Sequence, residues 1–213
     1  MDIETYHVLT KSIAGFKVFN QKKDFLRVIH SFKFFQTNNR PVSFSRYNIC
    51  LQQEMEDVRK YLKSDGTDKV TIVAYCIMPT HLHLILRENI EQGMSSFMNN
   101  VLNSYTRYFN IKHNRKGPLW EGRFKRVVVE DDEQLLHLTR YIHLNPVTAS
   151  LVDDPGKWLW SSYQEYLGMI KGEDRICRFE DIIDIDQSAY SEFVKDRISY
   201  QKELSAIKKT FPE

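Results

Sequence analysis

The chain contains little cysteine and no long apolar run. Its three cysteines, Cys50, Cys76 and Cys177, are an odd number at scattered spacings among 213 residues. This pattern argues against a disulfide framework or a zinc site and favours a reducing cytosol, so we expect a cytoplasmic protein. No apolar stretch approaches the about 20 residues that a membrane-spanning helix requires. The first residues, MDIE, contain neither the basic nor the apolar region of a secretory signal.

Glycine and proline are also sparse, with eight and six residues, and the chain contains no internal repeat or low-complexity tract. Hydrophobic residues make up 42% of the sequence, which is enough for one substantial core at this length. The formal net charge is only +2, so the charge balance as a whole indicates no particular partner. The distribution of the charges is more informative than their sum.

Positive charge is concentrated between residues 107 and 126. Seven basic residues stand here against one acid, Glu121, and aromatic side chains are interleaved with them. Single-stranded nucleic acids bind cations through their phosphates and flat rings through their bases, so the segment predicts a nucleic-acid surface. A solvated loop with inward-facing aromatics would show the same composition. The candidate binding residues are Arg107, Arg115, Lys116, Trp120, Arg123, Lys125 and Arg126.

Two histidines stand two residues apart in the segment MPTHLHLIL, at residues 78–86. Alternate residues of a strand share a face and rise about 3.3 Å each, so His81 and His83 would lie roughly 6.6 Å apart on one face. The leucines between and after them would face the core. This arrangement suits two ligands of one divalent metal ion, although two partly exposed histidines on an ordinary strand would give the same pattern.

A second candidate segment is RYIHLNPV, at residues 140–147, which ends a predicted helix over 131–145. Acidic residues open this helix, where the macrodipole favours negative charge, and leucines follow at helical spacing. Residues four apart lie on one helical face, so Tyr141 and Asn145 can point the same way. Because the residue before a proline disfavours the helical backbone conformation, Pro146 places Asn145 at the helix boundary. A core tyrosine and a capping asparagine are the alternative interpretation of this spacing.

Hydrophobic periodicity predicts an α+β fold in which helices pack on an antiparallel sheet. The turn at Pro79 should join two antiparallel strands. The aromatic residues of the last predicted helix before the basic segment recur at spacings of three and four, so Tyr105 and Tyr108 are expected in the core. The predicted strands span 3–9, 70–77 and 81–87, and the further predicted helices span 24–35, 51–62 and 93–110.

The last 46 residues, 168–213, have a different composition, with ten acidic and eight basic residues and scattered apolar positions. They predict a short helical C-terminal appendage, too small to be an independent domain. It could pack on the main core, mediate self-association or contact DNA. We therefore divide the chain into a domain over 1–167 and an extension over 168–213.

Five separated blocks together resemble the single-tyrosine HUH transposases, and most closely their REP-associated branch. In that family a histidine pair precedes a helix that carries a nucleophilic tyrosine. Insertion-sequence members usually have glutamine four residues after the tyrosine, whereas this chain has Asn145, as the REP-associated type tends to. The blocks are YHV at 6–8, IMPTHLH at 77–83, SYTRYFN at 104–110, GPLWEGRFK at 117–125 and RYIHLNPV at 140–147.

The resemblance implies an antiparallel sheet sandwiched by helices, the HUH, ferredoxin-like palm. It also implies a metal-dependent transposase that cleaves and rejoins single-stranded or hairpin DNA through a 5′-phosphotyrosine at Tyr141. His81, His83 and Asn145 would bind a divalent metal, Mg²⁺ or Mn²⁺. A phenol is almost wholly protonated in neutral water, so its attack on a phosphodiester needs such help. Relatives act as monomers or as homodimers, and the sequence leaves both open.

Three other functions fit parts of the pattern. A histidine-triad nucleotide hydrolase needs a third alternate histidine, and Ile85 stands at that position, so this function is excluded. A metal-dependent phosphoesterase that activates water could use the same three ligands. A non-catalytic protein derived from a transposase could bind hairpin DNA or RNA without cutting it, although the presence of both histidines and Tyr141 argues against this.

Overall fold

A four-stranded antiparallel sheet forms the centre of the fold in a computed structural model, which describes residues 4–38, 40, 42–52 and 68–201. The strand order is β2-β3-β1-β4, so the first strand in the chain lies inside the sheet and β4 lies at one edge. All three pairings are antiparallel. The strands are β1 (Thr5–Lys11), β2 (Val70–Met78), β3 (His81–Glu88) and β4 (Lys125–Val128).

The hairpin between β2 and β3 forms as the sequence predicts. Strand β2 is a run of β-branched and aromatic residues buried almost throughout, as expected for a strand covered on both faces. Pro79 and Thr80 form the two-residue turn, and Met78 pairs with His81 directly across it. The turn therefore fixes the register that decides which face His81 and His83 share.

Helices cover both faces of the sheet, which confirms the predicted sandwich. On one face, Phe32 of α1 contacts Tyr75 of β2 and Phe97 of α3, with ring centroids 5.6 and 6.1 Å apart. Helix α4 packs on the opposite face, mainly against β2. The helices are α1 (Lys22–Gln36), α2 (Phe44–Gln52), α3 (Gly93–Lys112), α4 (Asp132–Thr148), α5 (Tyr163–Tyr166) and α6 (Gln187–Lys195).

Two predicted boundaries differ from the structure. The predicted helix over 51–62 begins earlier than expected, because α2 starts at Phe44 and contains residues 51 and 52, while residues 53–62 of the prediction lie outside the described part. The expectation that Pro146 ends the helix at Asn145 is wrong, because α4 continues to Thr148 with Pro146 inside it. Buried Leu144 and Val147 flank this proline, and their packing carries the helix through it.

The C-terminal segment packs on the main core as far as the structure describes it. Ile176, Cys177, Phe179, Ile183 and Tyr190 are buried in the same hydrophobic cluster as the sheet. The backbone N–H of Arg178 donates to the carbonyl of Ile72 at 3.0 Å. The domain boundary at 167/168 itself stays a prediction. In the described ranges, no helix has the length and apolar character that crossing a bilayer demands.

Candidate active site

His81 and His83 lie on one face of β3, with ring centroids 5.0 Å apart. The intervening Leu82 is buried on the other face, as the period of two requires. His81 Nδ1 is 2.8 Å from Thr80 Oγ1 in the hairpin turn. This bond orients the His81 ring and leaves Nε2 as the nitrogen available to a ligand.

A third histidine, His7 on β1, contacts the pair. His7 Nε2 lies 3.1 Å from His83 Nδ1, so one ring nitrogen donates to the other. The two rings are stacked, with centroids 5.4 Å apart. The bond occupies Nδ1 of His83 and again leaves Nε2 free. Both members of the pair therefore present the same ring nitrogen.

Burial lowers the pKa of both candidate ligands. The pKa of His81 falls to about 4 and that of His83 to about 3, mainly because desolvation disfavours the charged ring. Lys11, which pairs with His81 across the sheet, adds to both shifts by charge repulsion. Both imidazoles are thus neutral near pH 7, the form in which histidine binds metal ions.

Tyr141 on α4 lies beside the histidines. Its ring is edge-on to His83, with centroids 5.8 Å apart, and to His7, with centroids 6.4 Å apart. The side chain is 45% exposed, although its neighbour Ile142 is fully buried. Asp131 starts this helix by accepting a hydrogen bond from the N–H of Gln134. The helix thus buries one face and holds Tyr141 at the edge of the histidine cluster, open to a substrate.

Asn145 follows Tyr141 by one helical turn on the same helix. Its Nδ2 atom is buried and has no hydrogen-bond partner in the described part of the chain. The nitrogen and oxygen of an amide are assigned from their partners, so a buried orphan atom here equally suits an oxygen turned toward a metal ion. Among the described residues, no group of three His, Cys, Asp or Glu side chains is placed to hold a metal ion, so a metal here would need the Asn145 amide beside the two histidines.

The donor set therefore fits a divalent metal that prefers nitrogen and oxygen. Two neutral imidazoles present free nitrogens, and one amide has a buried atom without a partner. Such a set leaves coordination positions open for substrate oxygens.

Tyr105 and Tyr108 lie away from the histidines, as the sequence predicts. Tyr105 is 1% exposed and donates from its hydroxyl to the carbonyl of Val18 at 2.6 Å. Tyr108 donates to the buried carboxylate of Asp24 at 2.9 Å. Desolvation raises the pKa of both phenols, and that of Tyr108 reaches about 12. Neither hydroxyl is free to attack a substrate.

The predicted nucleic-acid residues divide into exposed and packed groups. Trp120 packs in the core, 9% exposed, and donates from its indole to Thr106 Oγ1 at 3.0 Å. This corrects its predicted role, because a buried ring offers no face to a base. Arg115 donates to Asn110 Oδ1 at 3.0 Å and to the carbonyl of Pro118 at 2.6 Å, which holds the loop after α3. The exposed members are Arg107, Lys116, Arg123, Lys125 and Arg126.

The edge strand β4 divides its cations between the two faces of the sheet. Lys125 pairs with Leu9, which also pairs with His83, so Lys125 lies on the histidine face. Arg126 is the next residue and lies on the opposite face, where its guanidinium stands over the Tyr6 ring at 5.2 Å. Positive charge therefore continues around this edge of the sheet.

Sequence reasoning missed His7 and Lys11 as site residues. Both lie on β1, on the face that the register of β1 with β3 turns toward the histidine pair. Alternation of Tyr6, Val8 and Thr10 as buried residues was the available signal, because it places His7 and Lys11 on the opposite face. Only the strand pairing shows that this face carries His81 and His83.

Comparison with known proteins places the site in context. The family model described as "Transposase IS200 like" matches residues 42–145, a range that includes His81, His83, Tyr141 and Asn145. A protein of Haemophilus influenzae described as "Putative REP-associated tyrosine transposase" is 30% identical over 101 residues. That alignment covers 43% of this chain and 57% of the relative, so it spans little more than half of the relative's length.

A solved structure has the same fold. It is a REP-associated tyrosine transposase bound to a REP hairpin, and it superposes with a TM-score of 0.53. The superposition covers 81% of this chain and 84% of that one at 15% sequence identity. Together these matches confirm the resemblance to single-tyrosine transposases of the REP-associated type.

Proposed function

From the match of residues 42–145 to the IS200-like transposases, we propose that this chain cuts and rejoins single-stranded DNA at Tyr141 with the help of a divalent metal. The observation that carries the proposal is the position of the exposed Tyr141 ring, 5.8 Å from the ring of His83. The proposed nucleophile and the two imidazoles proposed to bind the metal thus lie side by side on two different elements, a helix and a strand.

His81, His83 and Asn145 would hold the metal, Mg²⁺ or Mn²⁺. When bound, such an ion neutralises negative charge on the scissile phosphate and assists departure of the 3′ oxygen. The chain's own task is to position the phosphodiester. The hairpin turn and His7 orient the two imidazoles, and α4 holds Tyr141 beside them.

The phenolic oxygen of Tyr141 then attacks the phosphorus and loses its proton. The bond from phosphorus to the 3′ oxygen breaks, and the 3′ oxygen leaves as a hydroxyl after taking up a proton. A 5′-phosphotyrosine and a free 3′ end result. A second 3′ hydroxyl reverses the reaction and restores a phosphodiester, so rejoining requires no nucleotide cofactor.

We propose a single-stranded or hairpin substrate. The solved structure with the same fold contains a REP hairpin, and the exposed cations of this chain continue around the β4 edge. Tyr141 must approach a phosphate whose flanking backbone can bend into the site, and a regular duplex resists that deformation.

The test is incubation of the purified chain with hairpin oligonucleotides labelled at the 5′ or the 3′ end, with and without Mn²⁺. We expect a metal-dependent covalent adduct that carries the label from the 3′ side of the cut, and a free 3′ hydroxyl on the other fragment. A fully paired linear duplex of the same sequence is the control and should react poorly.

Two outcomes would point to the other functions. Metal-dependent cutting that leaves no adduct and persists in Tyr141→Phe would indicate a phosphoesterase that activates water. Tight hairpin binding without cutting in any metal would indicate a non-catalytic binding protein.

A further inference from the structure

A cleft on the layer opposite Tyr141 has no role in the proposed reaction. It opens between α1 and α3, which pack on the other face of the sheet, and α2, which packs on α1, and it has a volume of about 700 Å³. Arg27, Arg107 and Lys112 line it, and no carboxylate does so in the described part of the chain. The lining side chains of the cleft therefore carry positive charge and no negative charge.

Arg27 is the unusual group in this cleft. Its guanidinium lies over the rings of Phe44, at 4.5 Å, and Tyr108, at 5.4 Å. Its Nε atom is buried without a hydrogen-bond partner, and no ion pair of Arg27 is found among the described residues. A buried guanidinium donor without an acceptor is costly, so the geometry favours an anion that enters the cleft.

The nearest buried acid cannot serve as that anion. Asp24 accepts hydrogen bonds from Lys112 at 2.6 Å and from Tyr108 at 2.9 Å, as well as from two backbone N–H groups. Its charge is therefore balanced by Lys112. Arg27 and Arg107 remain as the cations of the cleft without an acidic partner among the described residues.

A polar stripe along α3 connects this cleft with a second depression. Ser95, Asn99, Asn103 and Arg107 recur at intervals of four and so lie along one side of the helix, over about 18 Å. Ser95 and Asn99 line the second depression together with Arg123, Phe124 and Arg126, while Asn103 and Arg107 line the cleft. Cations thus stand at both ends of a row of uncharged hydrogen-bonding side chains.

This arrangement matches a nucleic-acid backbone. Phosphate oxygens are bound by arginine and equally by serine and asparagine side chains. One strand of a duplex stem carries a phosphate about every 3.4 Å of helix axis, so a stripe of about 18 Å matches the length of about five base pairs of stem. The charge on β4 links the stripe to the histidine face, because Arg126 borders the second depression and Lys125 faces His83.

We propose that the α3 stripe binds the phosphate backbone of a DNA hairpin stem, with Arg27 and Arg107 holding a phosphate in the cleft at its end. The hairpin would pass over the edge strand β4, so that its stem lies on α3 while its single-stranded flank reaches Tyr141. This inference rests on the proposed function for the identity of the substrate.

The test is fluorescence anisotropy of a labelled DNA hairpin titrated with the full chain at several salt concentrations. Arg27→Gln and Arg107→Gln should each weaken binding and reduce the slope of log K against log[salt], and the two changes together should reduce that slope by about 0.9, the value for one phosphate. Asn99→Ala combined with Asn103→Ala should weaken binding with little change in that slope. Lys195→Gln, an exposed cation on α6, is the matched control and should leave both unchanged.

Arg27 packs on two rings, so thermal melting of each variant is measured alongside. Arg107 is exposed, so Arg107→Gln alone tests whether the stripe binds the hairpin if Arg27→Gln fails to fold. Binding by Arg107→Gln and by any folded Arg27→Gln equal to that of Lys195→Gln would overturn the inference. So would an RNA hairpin of the same sequence that binds tighter than the DNA.

Adduct formation with saturating hairpin separates this inference from the proposed function. If the wild-type chain forms no adduct but the arginine variants still lower the salt slope, the reaction fails and the binding surface stands. If the wild-type chain forms an adduct and the variants bind normally, the reaction stands and the surface fails.

Discussion

The phenol ring of Tyr141 stands edge-on to the imidazole of His83, with centroids 5.8 Å apart and the planes at 88°. The two residues come from different layers of the fold, 58 positions apart in the sequence. Their contact depends on α4 packing on the face of the sheet that β3 presents through its histidines.

Tyr141→Phe should abolish the covalent adduct, because the change removes the only oxygen of the proposed nucleophile and keeps the ring. Tyr105→Phe and Tyr108→Phe should keep adduct formation within about tenfold, since their hydroxyls donate to Val18 and Asp24. Each of these two changes should lower the free energy of unfolding, by about 1 kcal/mol for the lost hydrogen bond. Tyr200→Phe, which changes a tyrosine 51% exposed, is the control for surface phenols.

Mass spectrometry of the trapped adduct locates the modified residue. DNA attached to Tyr105 or Tyr108, or an adduct in Tyr141→Phe, would show that α4 is not the catalytic helix.

His81→Ala and His83→Ala should each remove metal-dependent cleavage while hairpin binding stays within a few fold, because the imidazoles would hold the metal and not the DNA backbone. His113→Ala removes an exposed histidine at the end of α3 and is the matched control. Cleavage assays and anisotropy on the same preparations separate the two effects. Wild-type cleavage rates in either variant would rule out the metal site at this pair.

His7→Phe should weaken the affinity for Mn²⁺ by about 10- to 100-fold, the usual effect of losing the partner that orients a metal-binding histidine. The reason is the 3.1 Å contact between His7 Nε2 and His83 Nδ1. His7→Gln, whose amide can both donate and accept, should restore part of the affinity. Isothermal titration with Mn²⁺ alone measures this without any DNA, and equal affinities in all three proteins would contradict it.

Much of this arrangement follows from local pattern. The alternation around Leu82 placed two histidines on one face, and the hairpin turn at Pro79 fixed their strand. Residues that reach the site only through the pairing of distant strands could not be predicted, because the sequence does not reveal that Lys11 stands opposite His81. Trp120 was misjudged for a similar reason. Its basic neighbours are exposed, but its own ring packs beside Phe19 and Tyr105 of other elements.

At Pro146, tertiary packing overrides a local conformational preference. The preference of the residue before proline for an extended backbone predicted a helix end at Asn145. The loss of one N–H inside α4 is offset by continued burial of apolar side chains on the same helix, Leu144 and Val147 among them. Tertiary contacts of this kind cannot be read from the sequence of a single segment.

Neutral replacement of exposed cations should reduce the salt dependence of single-strand binding. The slope of log K against log[salt] should fall by about 0.7, the value for one phosphate of a single strand, in each of Lys116→Gln, Arg123→Gln and Lys125→Gln. Arg115→Gln should leave the slope nearly unchanged and lower the melting temperature, because its guanidinium holds the carbonyl of Pro118. A full slope decrease for Arg115→Gln, or none for the other three, would contradict this division.

Acid should destabilise the fold partly through His143, which is fully buried on α4. Its Nδ1 is 2.6 Å from the hydroxyl of Tyr190, and its Nε2 is 2.8 Å from Ser162 Oγ. A neutral ring donates one of these bonds and accepts the other, which suits two hydroxyl partners. The bonds join the helix of Tyr141 to α6 and to the residue before α5, so the neutral ring ties the C-terminal segment to the site.

Burial lowers the pKa of His143 from 6.5 to about 3 in the folded chain. The unfolded chain therefore binds one more proton than the folded chain at pH values between these two. The stability from the neutral ring is fully present above pH 6.5 and is lost progressively as the pH falls toward 3, by up to about 1.4 kcal/mol per pH unit.

Urea unfolding at pH 7, 6, 5 and 4 measures this contribution. His143→Gln should show a shallower fall in the free energy of unfolding with acidification than the wild type, whatever its stability at pH 7. The other histidines are present in both proteins, so the difference between the two curves isolates His143. His137→Gln, which removes a half-exposed histidine of the same helix, is the matched control for the loss of a histidine. Parallel curves for His143→Gln and the wild type would show that His143 does not titrate as a buried neutral ring.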